Sequence, residues 1–358
     1  MDETTAVTET LTTLSLDASP LPALPFEIVV EILCRLPVKL LLQLRCLCKS
    51  LNTLISDPKF IRKHLRLSTP CHRLLLFCSS VSDVLSYPLH SSFSIVTDYA
   101  TRHEYPFTFK EPFYCIFGSC DGMFCLEVNR SVILWNPSIQ KSKTLPSIGG
   151  FPPVTAYGIG FDTLIDNYKV VCVVDEGILE DAKIKVHTLG TNSWRMIPGD
   201  FPVPTRRSLK LASGTLNWFS FDDYRIVSFD LVNESCRKLL PPTYYGEVVY
   251  SVILDVLRDC LCIFAHSYTS STVWMMKEYG NEESWTQLFR VPRREESFYD
   301  IHTRPIWISK DDLVLMKKKM NLAICDFKNG AFKIQMIQNI DDWLSPEVYI
   351  ESLVSPCF

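Results

Sequence analysis

The chain of 358 residues carries 36 Lys and Arg against 40 Asp and Glu, a net charge of −4, and is 47% hydrophobic and 12% aromatic. That length and apolar content suit one small and one large domain, or a single large one, and exclude a globally disordered chain. The weakly negative balance supplies no concentrated basic field for nucleic acid, and no apolar run reaches the ~18 residues of a membrane-spanning helix.

Residues 1–20, MDETTAVTETLTTLSLDASP, are acidic and rich in Thr and Ser, without a periodic apolar face. They read as a disordered leader, neither a secretory signal nor a membrane anchor. Helical periodicity then becomes dense. A first helix is expected to open at Pro25, whose missing N–H costs nothing in the first turn, and to run through Leu36. Ile28, Ile32, Leu33 and Leu36 form its apolar stripe, and Pro37 stops it. A second helix is expected from Val38 to about Cys46, with Leu40, Leu41 and Leu44 at three- and four-residue spacing. A third covers Lys49 to Ile55. Asp57-Pro58 then reads as an N-cap with proline at the first helical position of a last helix holding Phe60, Ile61 and Leu65. So short a segment has more apolar surface than it can hide within itself, so it needs a partner.

The ordered run LPFEIVVEILCRLPVKLLLQLRCLCKSLNTLISDPKF resembles the F-box, the adaptor-binding motif of SCF-type ubiquitin ligase receptors, with Leu51 where the family usually has tryptophan. The resemblance assigns residues 21–67 to an F-box helical domain. It implies that Leu24, Pro25, Ile28, Ile32, Leu33, Leu36, Pro37, Leu40 and Leu44 contact a Skp-family adaptor or pack beneath that contact.

After Leu67 the pattern changes, because Ser68, Thr69 and Pro70 break the helices and the apolar runs become short, as in Leu74 to Cys78 and Phe93 to Val96. Five later segments share one layout: a turn, an apolar strand, an aromatic-rich strand, and a hairpin to a strand that usually closes on proline. They start near Gly118, Asp166, Ser213, Arg258 and Lys310, and contain MFCLEV, KVVCVV, LNWF, CLCIFAH and LVLM in turn. Their spacing of roughly 50 residues is that of propeller blades. Residues 71–117 together with Val348 to Val354 are expected to complete a further blade. The fold class is therefore α+β multidomain, a small helical domain followed by an all-β propeller-like domain over 71–358. Six blades are favoured over five or seven, and a β-sandwich is the competing architecture.

GSCDGMFCL, YGIGFD, DNYKVV, NSWR, VWMMKEYG and YIESLVSP also resemble the F-box-associated interaction domain (type 1, kelch-like) of plant F-box proteins. The double glycine of true kelch blades occurs only at Gly149-Gly150, outside the repeat position, and no Trp-Asp dipeptide is present.

Little here points to chemistry. The seven histidines form no metal-binding spacing and the fourteen cysteines no C-x-x-C pair or disulfide framework, so no metal, no cofactor and no catalytic residue is expected. His187 and His266 read as satisfied strand histidines, and Cys260 and Cys262 as small hydrophobes on one strand face. Asp222-Asp223 and Asp311-Asp312 read as turn residues. Gly158-Ile159-Gly160 is an isolated fragment of a nucleotide-binding pattern. Trp135, Trp194 and Trp285 read as packing residues at matching repeat positions.

The expected function is recognition. Two loops, 241–246 and 292–299, combine Tyr or Arg anchors with polar surroundings, making Tyr244, Tyr245, Arg293, Arg294, Phe298 and Tyr299 candidate substrate-binding residues. With the resemblance, the expectation is a non-catalytic substrate-recognition subunit of an SCF-type E3 ubiquitin ligase in the cytoplasm or nucleus. Its expected partners are a Skp-family adaptor, the cullin and RING subunits reached through it, and a target protein. The alternatives are a carbohydrate-binding propeller, or an F-box protein acting outside a ligase.

Overall fold

In a computed structural model the chain divides between Thr69 and Pro70 into two compact units. The structure describes residues 25–67, 72–78, 83–89, 100–104, 114–149, 154–175, 181–205, 208–243, 248–292, 304–318, 321–326, 331–335 and 343–357.

The first unit holds four helices among the described residues: α1 (Phe26–Leu33), α2 (Val38–Arg45), α3 (Lys49–Ser56) and α4 (Pro58–Leu67). Two expected boundaries move. Pro25 is extended and stands before the helix, where its carbonyl accepts from the amides of Ile28 and Val29. The far end stops at Leu33 because the residue ahead of a proline disfavours helical backbone. The chain tightens there, with Arg35 N donating to Ile32 O and Leu36 N to Leu33 O at 3.0 and 3.1 Å. Asp57 caps α4 as expected, its Oδ1 accepting from the Lys59 and Phe60 amides at 2.7 and 3.4 Å. Leu33, Cys34, Val38, Leu41, Ile55, Phe60 and His64 are buried in this unit.

The second unit is built of four-stranded antiparallel sheets. Sheet one takes β1 (His72–Cys78), β2 (Asp83–Pro88) and β3 (Thr101–Glu104). Sheet two is β4 (Tyr114–Cys120), β5 (Met123–Val128), β6 (Ser131–Asn136) and β7 (Lys141–Thr144). Sheet three is β8 (Val154–Asp162), β9 (Asn167–Asp175), β10 (Asp181–Thr188) and β11 (Arg195–Pro202). Sheet four is β12 (Lys210–Ala212), β13 (Thr215–Phe219), β14 (Ile226–Asp230) and β15 (Cys236–Leu239). Sheet five is β16 (Val249–Leu257), β17 (Cys260–Ser267), β18 (Ser270–Met276) and β19 (Trp285–Pro292). Sheet six is β20 (Arg304–Ile308), β21 (Leu313–Lys318), β22 (Asn321–Asp326) and β23 (Ala331–Gln335). The last strand, β24 (Trp343–Ile350), returns to sheet one and pairs with β1, His72 facing Ile350. Six sheets, five of them simple meanders and sheet one completed by β24, make a six-bladed β-propeller, the architecture and blade number that the repeats predict.

The apolar runs are continuous because blades are covered on both faces. Along β1, Leu74 and Leu76 pack with Leu315 and Leu322 of sheet six, while Leu75 and Phe77 pack with Phe124, Leu126 and Trp135 of sheet two. The next joins follow the same rule. Val171, Val173 and Ile184 of sheet three meet Leu216, Trp218 and Phe229 of sheet four, and Phe219 and Ile226 meet Leu261 and Ile263 of sheet five.

First strands lie side by side, as the parallel bridge between Tyr157 of β8 and Ser208, just ahead of β12, records. Charges stitch four of them together. Lys210 reaches Asp255 at 2.9 Å, Asp255 reaches Arg304 at 2.6 Å, and Arg304 reaches Glu347 at 2.9 Å, linking β12, β16, β20 and β24 in turn. Between β4 and β8 the join is aromatic, with the rings of Phe117 and Tyr157 4.5 Å apart.

The closing seam lies between sheets one and two. Asn136, fully buried, donates through Nδ2 to Ser352 O, Ser352 Oγ and Val354 O at 3.2, 3.1 and 2.8 Å, and Ser352 Oγ donates to Asp121 O at 2.5 Å. His103 of β3 sits between Gln140, whose Nε2 donates to its Nδ1 at 2.6 Å, and Ser86, whose Oγ lies 2.7 Å from Nε2. That network holds the ring neutral, since a proton on Nδ1 would face the Gln140 donor. Burial, with Arg73 adding repulsion, lowers the His103 pKa to about 4.

Replacing Asn136 with alanine removes the amide's bonds to Ser352 and Val354 at a buried seam, so urea unfolding should show a loss of about 2 kcal/mol. His103 stays neutral in the fold but takes a proton in the unfolded chain near pH ~6.5. Its stabilising contribution is therefore complete above that pH and falls away as the pH drops toward about 4. A His103→Gln variant should flatten that segment of the stability-against-pH curve.

Candidate functional site

The apolar residues of α1 and α2 divide into two sets. Leu33 and Leu41 turn inward and are buried, whereas Ile28, Ile32 and Leu40 remain 46%, 48% and 45% exposed. Ile28 and Ile32 are one helical turn apart and share a face, from which Leu33 is displaced by about 100°. The expected single stripe is therefore split. Leu36 and Leu44 are half-buried, Pro25 and Pro37 are exposed, and Leu24 lies outside the described residues. Phe26 and Leu47 are also exposed, and they escaped sequence reasoning because neither falls on the repeat that marked the stripe. Burying half-exposed Ile and Leu side chains like these gains about 1 kcal/mol each, so they form a surface on which a partner helix or groove gains affinity.

The corner between α1 and α2 is fixed from behind. His64 of α4 is buried and places Nε2 2.9 Å from Leu36 O, while Arg45 at the end of α2 donates from Nε to Asn52 Oδ1 of α3 at 3.1 Å. Burial, partly offset by the Leu36 bond, holds the His64 pKa below its ordinary value, so the imidazole is a neutral strut.

The propeller presents two ends. Each of sheets two to six is an up-and-down meander, so its first and third turns fall at one end, and its second turn and onward connection at the other. The second end carries exposed aromatic side chains in adjoining blades: Phe221 and Tyr224 in the β13–β14 turn are 62% and 59% exposed, and Tyr268 in the β17–β18 turn is 62% exposed. Tyr268 lies against Tyr250, ring centres 5.4 Å apart, and exposed Val248 precedes β16. Tyr244, Tyr245, Arg293, Arg294, Phe298 and Tyr299 lie outside the described residues.

Other residues singled out in the sequence are occupied in holding blades together. Gly158 and Gly160 lie in β8 where sheet four packs closest. A Cβ on Gly158 would stand 2.8 Å from Leu209 Cβ, and one on Gly160 would overlap Leu231 and Leu211. Trp194 directly precedes the fourth strand of its sheet and Trp285 opens that of its own, and each donates from Nε1 to a carbonyl after the preceding blade, Pro146 O at 2.8 Å and Leu240 O at 3.0 Å. Trp135 does not share that position, because it sits in a third strand inside the core. Lys169, buried in β9, bonds Asp162 at 2.6 Å, Glu234 at 2.8 Å and Leu231 O at 2.7 Å, tying sheet three to sheet four. No sequence spacing announced that pairing.

The titratable groups suit structural work. Asp223 occupies its turn, where Lys238 at 2.9 Å holds it down at about 2, and Asp312 pairs with Arg258 at 2.8 Å. His187 is buried against Trp194 with Nδ1 3.1 Å from Ser193 O, and His266 Nδ1 lies 2.8 Å from Ser271 Oγ. Burial pushes the Cys172 and Cys236 thiols up to about 12, far from a reactive thiolate. Cys262 is packed between sheets five and six with Cys260 beside it. Among the described residues no group of His, Cys, Asp and Glu is arranged to hold a metal ion.

Residues 21–63 match the F-box domain family, and residues 80–356 match the F-box associated beta propeller domain family. An F-box/kelch-repeat protein of Arabidopsis thaliana is 29% identical over 354 residues, covering 93% of this chain and 96% of that protein. F-box protein CPR1 of the same plant is 30% identical over 381 residues, covering 93% and 89%. F-box/WD-40 repeat-containing protein 1, also from Arabidopsis thaliana, is 26% identical over 393 residues, covering 95% and 91%.

The split of the apolar residues has a direct consequence for stability. Leu41→Asp, which forces a charge into a fully buried site, should unfold the helical unit, whereas Ile32→Asp should leave its helical circular dichroism and melting within about 0.5 kcal/mol of wild type.

Proposed function

Because the chain belongs to the family of F-box proteins with an F-box associated β-propeller domain, a family of non-catalytic adaptors serving SCF ubiquitin ligases, we propose that it is the substrate-recognition subunit of an SCF-type E3 ligase. Its helical unit docks on a Skp-family adaptor, which brings the cullin and RING subunits, and its propeller holds a target protein. Transfer of ubiquitin then follows from proximity, with no residue of this chain in contact with the reacting atoms. We place it in the cytoplasm or nucleus, where unpaired thiols such as Cys46 and Cys48 persist.

One observation carries this reading: Ile28, Ile32 and Leu40 project outward from helices whose inner residues already form a complete core. An ordinary helical cap would have turned those side chains inward. On the propeller, the end bearing Phe221, Tyr224 and Tyr268 suits the target, because exposed aromatics on rigid blades supply contact area at low entropic cost.

Affinity capture of the tagged chain from plant cells with the proteasome blocked separates these assignments. The wild-type chain should retain a Skp-family adaptor and a cullin. Ile32→Asp should lose both while keeping its target proteins, and a Phe221→Ala/Tyr268→Ala chain should keep the adaptor and lose the targets. Adaptor capture undiminished by Ile32→Asp would remove the assignment of the helical face.

A further inference from the structure

Among the described residues, every non-glycine residue at positive φ but one is Asp, Asn, Arg, Gln, Ser or Glu, the exception being Tyr224, at φ 53° in the β13–β14 turn. A left-handed backbone brings Cβ against the neighbouring carbonyl, a cost that Asn and Asp reduce with a local hydrogen bond and that a bulky aromatic residue bears in full. Such a residue persists only where its surroundings fix it.

Here the surroundings do fix it. Ser220 N donates to Arg225 O at 2.9 Å and closes the base of the turn, Phe221 N donates to Val203 O at 2.8 Å in the stretch between β11 and β12, and Lys238 of β15 donates to Asp223 at 2.9 Å. Asp223 also accepts from the Arg225 amide at 3.2 Å, and Ser220 Oγ from the Asp222 amide at 3.3 Å. None of these bonds involves the Tyr224 side chain, which stands out from the turn with Phe221. A ring that served the core would be covered, whereas this one is held in solvent on a backbone that costs the fold stability. Strain maintained around an exposed side chain points to a contact made by that side chain.

We propose that Tyr224 is the anchor by which the propeller holds its target, and that the target segment it receives is apolar and unphosphorylated. The inference rests on the proposed function and adds the deciding residue and the chemistry of the segment. The charges around the turn favour that chemistry. Arg225 of the turn and Lys238 of β15 both face Asp223, at 3.6 and 2.9 Å, while Asp222 is exposed. A phosphate brought to the rings would meet Asp222 and would have to draw Arg225 or Lys238 away from Asp223, whereas an apolar segment does neither. Phe221 in the same turn, and Tyr268 and Val248 in the adjoining blade, are exposed as well, so the surroundings of Tyr224 offer contact area to apolar groups.

The test uses the intact chain and short synthetic peptides that tile the proteins it retains from proteasome-blocked plant cells, each peptide made in unmodified and phosphorylated form. Tyr224→Asn, which suits a left-handed backbone, should melt at or above the wild-type temperature while binding the selected peptides at least about tenfold more weakly. Tyr224→Phe, which keeps the ring, should bind within about threefold of wild type. The bound peptides should be apolar at their centre, and phosphorylation within them should weaken binding at least about threefold. A Tyr224→Asn melting temperature lowered by more than about 4 °C would assign the ring to the fold and overturn the inference. Peptide binding undiminished in that variant, or confined to phosphorylated peptides, would overturn it too. So would the absence of any bound peptide, including the case in which the chain binds a glycan array through Tyr224. In each of these outcomes, adaptor capture that depends on Ile32 leaves the proposed function standing, and its absence overturns both.

Discussion

Everything in the larger unit depends on closing the circle. A four-stranded blade has two apolar faces and stays covered only while a neighbour stands on each side, so the first and last blades of an open row would each leave one face wet. Here the gap is closed by pairing across nearly the whole chain, with β24 running beside β1 and the tail after it bonded to Asn136 and Asp121 of sheet two. Leu74, Leu75, Leu76 and Phe77 are all fully buried only because of that closure.

The same requirement accounts for most residues that first look chemical. Lys169, Asp162 and Glu234 form a buried charged cluster of a kind often associated with catalysis, yet its reach is from one blade to the next. The alternating charges from Lys210 to Glu347 run along four neighbouring first strands and bind them laterally. Tyr279 crosses another join, its hydroxyl bonded to Asn217, Thr215 and Ser228 of sheet four. Polar groups are concentrated at the joins because apolar contact alone does not fix the rotation of one blade against another, whereas hydrogen bonds are directional.

How much of this could be read beforehand varied by element. The helices were readable because proline, N-cap and apolar spacing agree locally, and their ends drifted only beside Pro25 and Pro37. Second and third strands announced themselves as apolar runs between turns. First strands did not: β12 is the three residues Lys210–Ala212, and β8 contains two glycines whose purpose is visible only against Leu209 and Leu231. The apolar spacing of α1 and α2 was legible, but its division into inward Leu33 and outward Ile32 needed the neighbouring helices. On the propeller, sequence pointed to two connections, while Phe221, Tyr224 and Tyr268 went unmarked because a turn aromatic looks the same whether it is tucked in or exposed.

The pairing of β24 with β1 also sets an order of events during synthesis. The helical unit leaves the ribosome first. The propeller remains an open row until Trp343–Ile350 has been made, more than two hundred residues after β1. A nascent or prematurely ended chain thus carries its helices on a propeller with unprotected β-edges and apolar faces. Such a chain is itself well suited to engagement by chaperones and to disposal, and the full-length product escapes both only when its last strand arrives.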